Sequence, residues 1–162
     1  MEAVQHISAI EESFFHNGIS KTGGNRVIHA ALRDRFTFLA TMCGFLRGEM
    51  MLKAELSDVF QIIVKKDEDP HPLFVMMMQF STGKVNQGFK LYGRMARNFD
   101  VNVCPIGALG FYLLYRFHNS NEMDGVDFCD NSSWFNTKLL TTYNSTDNTK
   151  CIKDKTYAAA VK

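Results

Sequence analysis

Arg47 stands where an apolar, helix-like run meets a glycine, in Cys43-Gly44-Phe45-Leu46-Arg47-Gly48-Glu49. At such a junction a guanidinium would meet free backbone N–H groups and the positive end of the next helix's dipole. That setting suits an anion, above all a phosphate. A second set of cations follows. Between Pro70 and Phe99 there is no acidic residue, yet Lys84, Lys90, Arg94 and Arg97 all fall there, interleaved with Phe89 and Tyr92. Cations and aromatics on one hairpin make a local positive surface of the kind that nucleic-acid backbone selects. Each feature has a plainer explanation. Arg47 can pair with a local carboxylate, and the hairpin cations can pair with the acidic loop of Glu122, Asp124, Asp127 and Asp130. On charge alone the plainer reading of the hairpin outweighs the nucleic-acid one.

The elements that must hold these side chains follow from hydrophobic spacing. Ile28, Leu32, Phe36, Leu39, Cys43 and Leu46 keep the three-or-four step of one buried helical face. The pattern places a helix over about 26–42, capped by Asn25 and ended at Gly44, which tolerates positive φ. A short helix over about 49–54 comes next, then the β-favouring run Gln61-Ile62-Ile63-Val64. Leu73 to Phe80, continuously apolar up to Gln79, reads as a buried strand, with Met77 facing away from Met76 and Met78. After a turn over 81–88, residues 89–95 return as its partner, with Lys84 near the tip. Pro105 opens a helix whose apolar face is Ile106, Leu109, Leu113 and Phe117, ending near His118. Residues 119–133 read as loop, Ser133 caps a short helix carrying Trp134, Leu139 and Leu140, and a last helix starts near Asp154. Val4, Ile7, Ile10 and Phe14 form an amphipathic stretch, so residues 1–25 are set apart as an N-terminal helix and linker from a domain over 26–162.

Composition bounds the class. The chain has 162 residues, 46% of them hydrophobic, and a formal net charge of +1, which fits one packed domain. No apolar run approaches a bilayer span and no secretory signal is visible, so an intracellular protein without a membrane role is expected. Cys43, Cys104, Cys129 and Cys151 show no C-x-x-C spacing. Neither a zinc site nor a disulfide framework is expected, and no cofactor is implied. Helices around a small hairpin-bearing sheet make the fold class α+β, mostly helical.

Taken together, Cys43-Gly44-Phe45-Leu46-Arg47-Gly48-Glu49, followed by Glu55-Leu56-Ser57-Asp58-Val59-Phe60, resembles the segment that carries the first catalytic arginine of tyrosine recombinases. The closer likeness is to the fungal Crypton type and to the related recombinase-like domain of the budding-yeast centromere-binding kinetochore subunit. Gly83-Lys84-Val85-Asn86-Gln87 is similar to the turn bearing that family's catalytic lysine. Val103-Cys104-Pro105-Ile106-Gly107-Ala108-Leu109 and Tyr115-Arg116-Phe117-His118 match its next helix. The likeness spans about Arg26 to Phe135.

The resemblance implies a tyrosine-recombinase-like catalytic-domain fold, C-terminally truncated, in which Arg47 and Lys84 match catalytic positions. It implies contact of Arg47, Lys84, Lys90, Arg94 and Arg97 with the phosphates of double-stranded DNA, a nuclear location, and a homodimer or kinetochore-like protein partners. In active members arginines and a histidine stabilise the charged transition state, a lysine protonates the leaving oxygen and a tyrosine attacks. Here no histidine follows His118 and no arginine follows Arg116, and Tyr143 and Tyr157 come too early to be the nucleophile. The expectation is a non-catalytic DNA-binding domain. The alternative is a fragment of an active mobile-element recombinase whose H-x-x-R pair and tyrosine lie beyond Lys162.

Overall fold

The computed structural model describes residues 24–65, 72–80, 91–119, 126–145, 147 and 149–161. The amphipathic stretch at 4–14 and the turn that carries Lys84 and Lys90 lie outside them. The described chain is α+β, with five helices and one small antiparallel sheet.

Helix α1 (Gly24–Gly44) is the central element, and α2 (Gly48–Lys53), α3 (Pro105–Asn119), α5 (Asp154–Ala160) and strand β3 (Leu91–Ala96) all pack on it. Its buried face includes Phe36 and Leu39, as apolar spacing selects, with Leu32 packed against the core, but it is wider than that spacing. His29, Arg33, Phe36, Thr37 and Ala40 are inside, Leu39 joins them, and Cys43 is exposed. Asn25 lies within the helix rather than capping it, and its carbonyl accepts a hydrogen bond from the Tyr115 hydroxyl at 3.3 Å.

The sheet runs β1 (Val59–Val64), β2 (Leu73–Phe80), β3, in that order and antiparallel throughout. Register pairs Gln61 with Met76 and Met76 with Met95, and pairs Phe60 with Met77 and Met77 with Arg94. Alternation therefore turns Met76, Met78 and Met95 inward to the helices. Met77 faces outward as expected, yet it too is buried, walled in by its neighbours on the sheet. Around it the outer face is apolar and exposed, with Phe60, Ile62, Val64, Leu73 and Tyr92 on it.

Residues 137–141 close the core without being helical, whereas the sequence pattern puts Leu139 and Leu140 in a helix. Helix α4 is short (Asn131–Trp134), and its cap is the Asp130 carboxylate, which accepts from Ser132 N–H at 2.9 Å, in place of Ser133. The segment after it is stitched on both sides. Leu56 N–H donates to the Thr137 carbonyl and Leu139 N–H to the Ala54 carbonyl, each at 2.9 Å. From the helices, Arg116 Nη1 donates to the carbonyls of Lys138 at 2.9 Å and Leu139 at 3.2 Å. The Tyr112 hydroxyl accepts from Thr141 N–H at 3.1 Å. These bonds satisfy backbone groups that a buried irregular segment would otherwise leave bare.

Helix α5 closes the opposite side. Tyr157 is buried, its hydroxyl lies 3.0 Å from Thr41 Oγ1, and its ring lies over Gly48. A Cβ on Gly48 would stand 2.5 Å from Tyr157 Cε1, so even a methyl group must displace the ring and break that hydrogen bond. Gly48→Ala is expected to cost about 1–3 kcal/mol of stability in a denaturant titration. A variant within a few tenths of wild type would mean that the ring is not held.

Candidate nucleic-acid interface

Arg47 stands at the N-terminal cap position of α2, in extended backbone at φ −77° and ψ 145°. Its carbonyl accepts from Met50 and Met51 N–H, and its side chain forms no cap bond. The guanidinium is exposed and, among the described residues, has no hydrogen-bonding or ion-pair partner. The nearby carboxylate of Glu49 is bridged by Lys53 Nζ at 2.8 Å. Helix α2 is only six residues long, so a helix dipole adds little here, contrary to the sequence expectation.

The link that carries Arg47 is anchored by Leu46. That side chain is buried over Gly93, where a Cβ would come within 2.5 Å of Leu46 Cδ2, and it lies beside Phe80. Phe80 pairs with Leu91 at the end of the β2–β3 ladder. Arg47 is therefore next in sequence to a residue packed over Gly93, two residues from the start of β3, the strand that residues 81–90 precede in the chain. Lys84 and Lys90 fall in that segment, outside the described residues.

The remaining two cations do not share one surface. Arg94 and Arg97 are three residues apart on and just after a strand, and an odd separation sends them to opposite faces. Arg94 is exposed on the outer face, in register with Met77 and Phe60. Arg97 lies at the far end of β3, where its N–H donates to the Phe74 carbonyl at 2.8 Å and its guanidinium sits 5.7 Å from the Phe74 ring centroid. There it lines an open cleft of about 360 Å³ with Gln61, Phe74, Phe99, Cys104 and Ile106. The single positive surface expected from sequence is thus divided between the α1–α2 link, the outer sheet face and this cleft. The acidic loop does not neutralise it within the described residues: Asp127 and Asp130 accept from the N–H groups of Cys129 and Ser132 in their own turn.

One feature of the site escaped the sequence. Gly44 ends α1, but the left-handed residue is the next one, Phe45, at φ 51°. Leu46 N–H then donates to the Thr41 carbonyl at 3.2 Å, the six-to-one bond that closes a helix with a left-handed residue one place past its last turn. Glycine usually fills that place. The helix ends at Gly44 as the sequence indicates, and only the positive φ falls on the next residue.

A family model described as the centromere DNA-binding protein complex CBF3 subunit, domain 2, matches residues 5–159. The chain belongs to this family. No curated protein and no solved structure matches the chain significantly. The match to the CBF3 subunit domain spans both sequence segments that carry Arg47 and the hairpin cations, and it extends through α5. Among the described residues no helix is long and apolar enough to cross a membrane.

Proposed function

We propose that this chain is a non-catalytic, tyrosine-recombinase-like domain that binds double-stranded DNA through backbone phosphates in the nucleus, alongside kinetochore-like protein partners. The observation that carries the reading is membership, over residues 5–159, of a family described as a subunit domain of a centromere DNA-binding complex. The geometry supports it. Arg47 is an exposed and uncommitted guanidinium next in sequence to Leu46, which packs over Gly93 of β3. A planar fork of donors suits two phosphate oxygens. Arg94 on the outer face and Arg97 in the cleft add cationic groups on separate surfaces rather than along one stripe.

The non-catalytic part rests on the residues in hand. Tyr157, which could be mistaken for a nucleophile, is buried against Gly48 with its hydroxyl engaged by Thr41. A hydroxyl so placed meets no phosphate.

Binding of a duplex across a salt series tests the reading. Affinity is expected to fall with salt at a log–log slope of about −0.9 per phosphate neutralised, and Arg47→Ala with Lys84→Ala is expected to make the slope shallower by about 0.9 for each phosphate left without its cation. A flat salt response, or no binding at low salt, removes the proposal. A denaturing gel of the same mixtures is expected to show no covalent protein–DNA adduct.

A further inference from the structure

Phe45 stands at φ 51° and is 93% exposed. Two costs meet in that residue. A bulky side chain in left-handed backbone is strained, and a phenyl ring in water forgoes the burial that ordinarily keeps aromatics inside. Neither is needed to fold the junction. Leu46 provides the apolar anchor over Gly93, and a glycine at position 45 would close α1 with less strain. Backbone outliers held against such a cost cluster at binding and active sites.

The neighbours indicate what the ring would touch. Leu46 points inward, while Phe45 and Arg47 flank it and both project to solvent. An unpaired guanidinium two residues from a bare aromatic ring pairs a phosphate-binding group with a stacking group. Proteins that bend duplex DNA insert apolar side chains between base steps next to cationic groups of this kind.

We infer that Phe45 is an apolar wedge that enters a base step of duplex DNA while Arg47 holds the adjacent phosphate. The inference rests on the DNA-binding reading and adds an interaction with bases, and with it a local unstacking of the duplex.

The test uses the full chain and a short duplex containing 2-aminopurine, an adenine analogue that brightens when unstacked. Wild-type protein is expected to raise the fluorescence. Phe45→Gly is expected to melt about 2–4 °C higher because the left-handed strain is relieved. The same variant is expected to bind roughly 5- to 100-fold more weakly, with the fluorescence rise abolished. Phe45→Trp is expected to keep both. Phe45→Gly that binds like wild type overturns the wedge and leaves DNA binding intact, as does an unchanged fluorescence on wild-type binding. A Phe45→Gly protein that melts lower than wild type makes the ring structural and also overturns it. Wild-type protein that fails to bind the duplex at low salt overturns the DNA reading and the wedge with it.

Discussion

Arg116→Ala is expected to remove about 3–5 kcal/mol of stability. Its side chain is fully buried in α3, and Nη1 donates to the Lys138 and Leu139 carbonyls at 2.9 and 3.2 Å. Hydrogen bonds from a charged donor are worth about 1.5–3 kcal/mol each, and truncation also leaves a cavity among Tyr112, Leu139 and Phe117. The carbonyls left behind sit under Leu139 and Leu140, where water has little access. Arg116→Met keeps most of the volume and is expected to recover about 1–2 kcal/mol of that loss. Burial of the charge itself lowers the net benefit. Urea titration of the three proteins decides the matter. A loss under about 1 kcal/mol for alanine would show that 138–139 finds other donors.

The second expectation concerns acid. Residue His29 is fully buried, edge-on to the rings of Tyr112 and Tyr143 at 5.4 and 5.7 Å, and neither ring nitrogen has a hydrogen-bond partner. Burial pushes its pKa down from 6.5 to about 4, helped by the positive charges of Arg33 and then Arg116. As pH falls below 6.5 the unfolded chain takes up a proton that the folded chain refuses. Stability contributed by neutral His29 is therefore whole above pH 6.5 and is lost as pH falls toward 4. The integrated loss is about 3 kcal/mol, at 1.36 kcal/mol per pH unit. Raised carboxyl pKa values at Asp34 and Asp58, both driven by burial, act in the opposite sense. Comparison with His29→Leu isolates the histidine. That variant is expected to match or exceed wild type at pH 7, because it removes two unsatisfied nitrogens, and to lose less between pH 6.5 and 4. Parallel stability curves for the two proteins would show that His29 is protonated in the folded state.

Much of the framework could be read from residue order. Strand β2 was visible because 73–78 is an uninterrupted apolar run, and α3 because Pro105 precedes a clean apolar periodicity. The interior of α1 was readable only in its apolar part, Phe36 and Leu39. His29, Arg33 and Thr37 step by four through the rest of the buried face, yet a polar residue on a helix is ordinarily sent to solvent. Arg33 is paired with its neighbour Asp34 at 2.7 Å and reaches the Thr141 carbonyl at 3.4 Å, Thr37 Oγ1 donates to the Arg33 carbonyl at 2.8 Å, and the rings of Tyr112 and Tyr143 flank His29. The separation of Arg94 from Arg97 was legible, since an odd spacing on a strand parts two side chains, but a charge count ignores direction. Arg47 does stand at a helix start, as its flanking residues indicate. The dipole expected there is weak, because helix length cannot be judged from a cap.

The outer face of the sheet has a bearing on handling. Phe60, Ile62, Val64, Leu73 and Tyr92 form an oily plate, and among the described residues β1 has no neighbour on its far side. Adhesion between such plates is driven by water's entropy near room temperature and weakens on cooling. Chilled, dilute stocks should therefore stay dispersed when warm, concentrated ones clump.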